Sequence, residues 1–402
     1  MCHGEVNMKY NFGNICLILA MIFQTTSALA NLQADFQQAY KSYNQYIEVD
    51  DLPLALGAAA DAYKLGSKLY GKNHINSAKL AVNYASLLNE TGDYRKAAKT
   101  LKGKLDVMEE FYGENADELV SPLLELGSAH IDARKPEKGI GFFQRASDVL
   151  EKHENPTIRG KRNFDIVVRL LKRQANQYTR PFVEASYSAY KGTLQENDVR
   201  WGLTNYHMAI WSLQDESLTQ AAYHLNASLT AFKTNDDQIT TMERNLRIML
   251  IDALQRTGNS ERATEHCLAI GERDNWIADP LYIKPPNFDA EKIKQSDPVE
   301  IKLSFTVDEE GFVKSPKIES STEPGLNDEA LAALTEFRYA PRFVNGVPVA
   351  TEDVNFTIAY EAPPKPKFTR PPVMGLKSAG DEKSGGFGDN FGGFGGGGKG
   401  GK

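Results

Sequence analysis

The sequence predicts a mainly α protein: an α-solenoid of paired helices over residues 31–278, then a small α+β domain with an antiparallel sheet over 279–361. Three observations predict it. Sequence features recur every 42 residues through much of the first part, composition changes at Asp279-Pro280, and a strict period-two run follows from Val299 to Val307. A length of 402 residues suits two to four domains. With 41% hydrophobic and 25% charged residues, the chain is neither wholly disordered nor a polytopic membrane protein. Its net charge of −7 gives no overall attraction to nucleic acid or anionic lipid, so no nucleic-acid partner is expected.

The amino terminus reads as a secretory signal peptide over residues 1–30. Lys9 precedes the apolar run Ile15–Phe23, and a polar stretch then ends in Ala28-Leu29-Ala30, a small-residue cleavage site. Met8-Lys9 is a better start than Met1, and the mature chain is expected to begin at Asn31. The apolar run is shorter than the ~20 residues a spanning helix needs. An uncleaved anchor is the rival reading. Cys2 and Cys16 fall in this segment, and its removal leaves Cys267 alone, without an internal disulfide or a cysteine-built metal site.

The helical part carries its period in small residues. Tyr70-Gly71 recurs as Tyr112-Gly113, Ala85 as Gly127, Ala97 as Gly139, and Leu101 as Phe143. Stepping back from Ala97 and Leu101 gives Ala55 and Ala59. Within Ala85–Ala97, Gly92-Asp93-Tyr94 is a tight turn between two helices, and Gly258–Ala263 with Asp215–Ala221 repeats it later. This pattern resembles a tetratricopeptide repeat of the lengthened, kinesin-light-chain type. Register is lost between about 155 and 200, although Ile166, Val167, Leu170 and Leu171 keep helical spacing. Five to six helix pairs are expected, one of them irregular, with a concave face that binds peptides or proteins.

By the repeat pattern, Lys79, Asn83 and Ser86 face inward on one helix, and Glu125 and Ser128 on the next. Lys79 and Asn83 are four apart and can hold a carboxylate together; a solvated helix face is the plainer reading. Arg159, Lys161, Arg162, Arg169, Lys172 and Arg173 form a basic cluster, read either as a charged surface or as a contact for phosphate or lipid headgroups.

In the small domain, Val299, Ile301, Leu303, Phe305 and Val307 alternate with polar residues and form a half-buried strand. Asp308–Gly311 is a turn, and Phe312–Ser320 returns as a second strand in which Pro316 marks an edge. Asn327 is expected to cap a helix over Asp328–Phe337, stapled by Leu326 and Leu331 and burying Leu331, Leu334 and Phe337. Asn345-Gly346 signals a hairpin. The last strand then places Val354, Phe356, Ile358 and Tyr360 on one face, with an outer edge open to a further strand. Lys284–Phe288 reads as an extended linker.

The order Phe305-Thr306-Val307-Asp308-x-x-Gly311-x-Val313, Ser320-Ser321, Ala330-Leu331 and Phe337-Arg338-Tyr339-x-Pro341, closing on Gly346-x-Pro348, resembles the carboxy-terminal domain of TonB. Pro285, Pro286 and Phe288 resemble the proline-aromatic segment that precedes the first strand in that family. The resemblance implies a non-enzymatic protein in the periplasm of a Gram-negative bacterium, assisting outer-membrane transport such as siderophore uptake. Its implied partners are TonB-dependent outer-membrane receptors, whose box peptide adds a strand to the sheet. The contact then runs along Val354, Asn355, Phe356, Thr357 and Ile358. Arg338, Tyr339 and Arg342 lie beside it, with Arg338 and Arg342 read either as receptor contacts or as solvated charges flanking a buried Tyr339. Other components of the system are expected on the repeats, with membrane contact only through partners. The short apolar run and the missing Pro-rich spanning segment depart from full transducers. A membrane-anchored, proton-gradient-coupled transducer on the periplasmic side of the inner membrane, and an envelope-assembly scaffold, are the alternatives.

The tail over 362–402 is Pro/Lys-rich, then Gly/Phe-rich, and is expected to be disordered. No catalytic residue, cofactor or metal site is expected. The chain has no H-E-x-x-H, G-x-S-x-G or P-loop motif, and Gly139-Ile140-Gly141 and His266-Cys267 are read as packing within the repeats.

Overall fold

The computed structural model describes residues 12–274, 278–288 and 299–360, with side chains from residue 29 onward. The start of the signal segment and the tail lie outside the described residues. Among the described residues, twelve of the thirteen α-helices before the sheet form stacked pairs, with α5 continuing α4: α1 (Phe12–Glu48) with α2 (Leu52–Tyr70), α3 (Ile75–Glu90) with α4 (Tyr94–Leu101) and α5 (Lys104–Tyr112), and α6 (Val120–Asp132) with α7 (Pro136–Glu151). α8 (Pro156–Leu171) with α9 (Arg180–Tyr190), α10 (Val199–Gln214) with α11 (Leu218–Phe232), and α12 (Thr241–Arg256) with α13 (Ser260–Arg273) complete the solenoid. Helix starts at 52, 94 and 136 keep the sequence period, as do 199 with 241 and 218 with 260.

The turn inside each pair ends its first helix with one left-handed residue: Asp50, Gly92, Arg134, Gln174, Glu216 and Gly258, all with φ between +54° and +86°. Such a residue lets the chain reverse while its neighbours' amides reach back to the last carbonyls, as Asp93 N does to Leu88 O at 2.7 Å. The small positions are buried where helices touch. Ala55, Ala85 and Ala97 are fully buried, and the Phe143 ring occupies the space a Cβ would need at Gly127. The repeat is interrupted at one place. The segment 94–112, continuous in its equivalent α2, breaks at Gly103 (φ +70°), and Lys104 then turns inward to hydrogen-bond the Lys72 carbonyl.

The small domain has a three-stranded antiparallel sheet in the order β2-β1-β5, with β1 (Val299–Val307) central, β2 (Val313–Ser321) on one side and β5 (Thr351–Tyr360) on the other. Its alternating residues bury Val299, Ile301, Leu303, Phe305 and Val307 against Leu326, Ala330, Leu334 and Phe337 from and around α14 (Asn327–Leu334). Asn327 is not the cap: Leu326 occupies that position, Asn327 is the first helical residue, and the helix stops before Phe337. Burying the whole Leu326 side chain in the core sets this start. β3 (Arg342–Val344) and β4 (Val347–Val349) form the expected hairpin, with Asn345 at φ +53° and Gly346 at φ +77°, the signs a type I′ turn requires.

The two parts are packed together. Just before the Lys284–Phe288 linker the chain is held to the solenoid: Leu281 is buried with Ala263, Cys267 and Ile270 of α13, and the Leu281 and Arg338 backbones hydrogen-bond at 2.7 Å. The β3–β4 hairpin lies on α13, where Gly271 leaves no space for a Cβ beside the Pro341 carbonyl.

Candidate partner-binding surfaces

The edge of β5 is the first surface. Among the described residues β5 pairs only with β1, so its other side carries unpaired main-chain groups. The register identifies them. Glu300 accepts from Thr322 N at 3.0 Å and donates to Thr322 Oγ1, so its main-chain groups face β2 and those of Ile301 and Leu303 face β5. Ile301 lies opposite Ile358 and Leu303 opposite Phe356. Successive residues alternate direction, so Asn355, Thr357 and Ala359 point their N–H and C=O groups outward. Val354 and Ile358 are buried in the core and Phe356 packs edge-on against Phe337 at 5.3 Å, while the side chains of Asn355 and Thr357 are exposed. The opposite edge is less suited: β2 bulges around Ser315 (φ +48°) and Pro316, and exposes Lys314 and Lys317.

Beside this edge, Phe288 is half-buried and meets the Tyr360 ring edge-on at 5.3 Å; Pro286 is half-buried and Pro285 exposed. Arg342 is exposed. Arg338 and Tyr339 are a correction. Both are fully buried and offer no surface to a partner. Arg338 donates to Thr264 Oγ1 at 2.7 Å, Glu310 O at 2.9 Å and Ser260 O at 3.3 Å, with its guanidinium 3.7 Å from the Phe312 ring centroid. No carboxylate lies within ion-pair distance among the described residues, and burial pushes the guanidinium pKa down. Its charge is held by carbonyl and hydroxyl oxygens and the ring. Tyr339 packs on Phe305, and burial pushes its hydroxyl pKa up. Arg338 joins the sheet domain to the solenoid, while Tyr339 packs within the small domain's own core.

The second surface is a cleft of about 610 Å³ lined mainly by α3, α6 and α8, the first helices of three successive pairs, with Leu52 of α2 and Tyr94 of α4 at its border. Of the expected inward residues, Ser86 and Glu125 line it, and Ser128 accepts from Arg169 Nη1 at 3.0 Å. Glu125 is buried between Asn89 of α3 and Arg169 of α8, at 2.7 and 3.0 Å, so one carboxylate ties three pairs together. Arg173, just past the end of α8, holds Asp132 of α6 at 2.7 Å, joining two of those pairs. Lys79 is exposed and lies over the Tyr112 ring at 5.4 Å, and Asn83 is half-buried outside the cleft lining, which agrees with the plainer reading of a solvated helix face rather than a carboxylate clamp. Sequence reasoning missed Asn89 and Asp132, and took Arg169 and Arg173 for surface charges. Their i,i+4 spacing was the available signal, yet their acidic partners lie on another helix.

The His266-Cys267 pair is packed inside. Burial pushes the Cys267 thiol up to about 11 and the His266 ring, beside Arg247, down to about 4. Among the described residues no cluster of three or more His, Cys, Asp or Glu is arranged to hold a metal ion.

Comparison with known proteins matches residues 289–361 to the family described as Gram-negative bacterial TonB protein C-terminal. The match covers the small domain. The chain is 26% identical over 154 residues to the protein-lysine N-methyltransferase SMYD4 of Danio rerio, covering 38% of this chain and spanning about a fifth of the length of that curated relative. Among solved structures, BtubC (BKLC) from P. vanneervenii is similar at 12% identity and a TM-score of 0.37, covering 58% of this chain and 87% of that one.

Proposed function

We propose that the protein is a non-enzymatic, periplasmic interaction component of a TonB-type system, in which the small domain takes a receptor-box peptide as an added strand and the solenoid recruits further components. One observation carries this reading: a domain matching the TonB carboxy-terminal family has an unpaired β5 edge with the outward main-chain groups of Asn355, Thr357 and Ala359. In strand addition these groups supply affinity, while the flanking side chains supply selectivity. The half-buried Phe288 and Tyr360 lie at the end of that edge, where an added strand gains an aromatic contact.

The test is titration of a receptor-box peptide against the labelled chain. Asn355→Pro and Thr357→Pro each remove an outward donor and should abolish binding, whereas Asn355→Ala should cost about 1 kcal/mol or less. Wild-type affinity in both folded proline variants would reject strand addition at β5.

A membrane-anchored transducer is the second reading, favoured by one observation: α1 runs unbroken from Phe12 to Glu48, through the expected cleavage site at Ala30. Among the described residues no helix is long and apolar enough to cross a membrane. Mass measurement of the mature chain decides: a start at Asn31 supports the periplasmic reading, and retention of residues 9–30 the anchored one.

A further inference from the structure

A groove of about 680 Å³ runs along α11, away from both surfaces described above, and its volume falls within the range of small-ligand sites. Its floor is a stripe of Thr219, Ala222, Tyr223, Asn226, Ala227 and Thr230, bounded by the loop before α10 on one side and the α12–α13 turn on the other. At helical spacing, such a stripe is usually either apolar and covered or charged and solvated. This one is neither.

One wall is aromatic and held in place. Trp201 stacks on Tyr187 at 5.0 Å with the planes 22° apart, and the Tyr187 ring also meets His224 edge-on at 5.2 Å. Tyr223, 58% exposed, meets the His224 ring edge-on at 5.1 Å. A large exposed ring beside a stacked Trp–Tyr pair offers a flat apolar contact.

The remaining lining is polar and balanced. Asn226 Nδ2 donates to the Ala222 carbonyl and Asn259 Nδ2 to Thr257 Oγ1, so each amide is oriented with its oxygen left to accept. Arg262 and Glu196 have no ion-pair partner among the described residues and contribute one charge of each sign. A phosphate or a strongly acidic ligand therefore has no excess of positive charge to meet. Helices form most of the groove, so it lacks the extended main-chain edge that captures a peptide backbone.

From this geometry we infer that the groove is a binding site for a neutral oligosaccharide, whose C–H face lies on Tyr223 and Trp201 while its hydroxyls meet Asn226, Asn259, Glu196 and Arg262. The inference is independent of the strand-addition reading, because it uses the solenoid alone.

The experiment follows tryptophan fluorescence of the full chain during titration with chitotetraose, cellotetraose, maltotetraose and a neutral Gly/Ser peptide. Saturation by at least one tetrasaccharide below about 10 mM is expected, with affinity falling about tenfold in Tyr223→Ala and in Asn226→Leu while circular dichroism and box-peptide affinity stay unchanged. Three results would overturn it: no tetrasaccharide saturates, the Gly/Ser peptide alone saturates, or both variants bind as wild type.

Discussion

Phe143 of α7 fills the space left by Gly127 of α6, its partner in the same helix pair, whereas Phe305 of β1 packs on Tyr339 and lies opposite Val354, near the far end of the small domain. Solenoid burial is local and repeats from pair to pair; burial in the sheet joins segments distant in the chain. The difference shows why the first part carries its period openly in small residues, while the second is recognised by a spaced set of motifs. The junction belongs to neither pattern. There, one arginine from the sheet domain enters the last helix pair of the solenoid and bonds to Ser260 and Thr264.

Breaking that junction should have the largest effect. Arg338→Ala removes a wholly buried side chain and leaves the Thr264 hydroxyl and the Ser260 and Glu310 carbonyls without this donor, a loss of about 3 kcal/mol or more. Urea unfolding followed by near-ultraviolet circular dichroism should then separate into two transitions. A single transition at the wild-type midpoint would show that the two parts do not depend on Arg338.

Acid should next distinguish the two ends of the solenoid. His207, His224 and His266 of the last two pairs all have pKa values lowered by burial, His266 to about 4. A histidine held neutral in the fold is fully stabilising above its unfolded pKa of about 6.5, and that stability is lost as pH falls toward its folded pKa. For His266 the loss amounts to about 2–3 kcal/mol between pH 6.5 and 4. Hydrogen exchange at pH 4.5 should therefore show α12 and α13 losing protection relative to pH 7, and His266→Gln should flatten that dependence.

The smallest effect is expected in the hairpin. Gly346 has φ +77° with open space around its Cα, so Gly346→Ala costs only backbone strain, about 1 kcal/mol. A melting-temperature shift of a few degrees confined to the small domain checks this, and a shift of the solenoid as well would mean that the hairpin's contact with α13 transmits the strain.

The sequence by itself determined what depends on neighbours along the chain. Period two along Val299–Val307 specifies a face, Asn345-Gly346 specifies a turn, and small residues 42 apart specify helix contacts, because each follows from local geometry. Only two of the six left-handed turn residues, Gly92 and Gly258, announce themselves. Asp50, Arg134, Gln174 and Glu216 adopt the same conformation without glycine, where hydrogen bonds to the last helical carbonyls offset the modest strain, so the middle repeats fade from the sequence while persisting in the fold. Tertiary structure alone decided the fate of the charges. Arg338 reads like Arg342 in the sequence, yet one is buried in the junction and the other exposed, and Glu125 becomes a tie between pairs only when α3 and α8 approach it from either side. The reason is that a charged side chain stays in water by default and enters the interior only where the assembled fold supplies partners that replace that water.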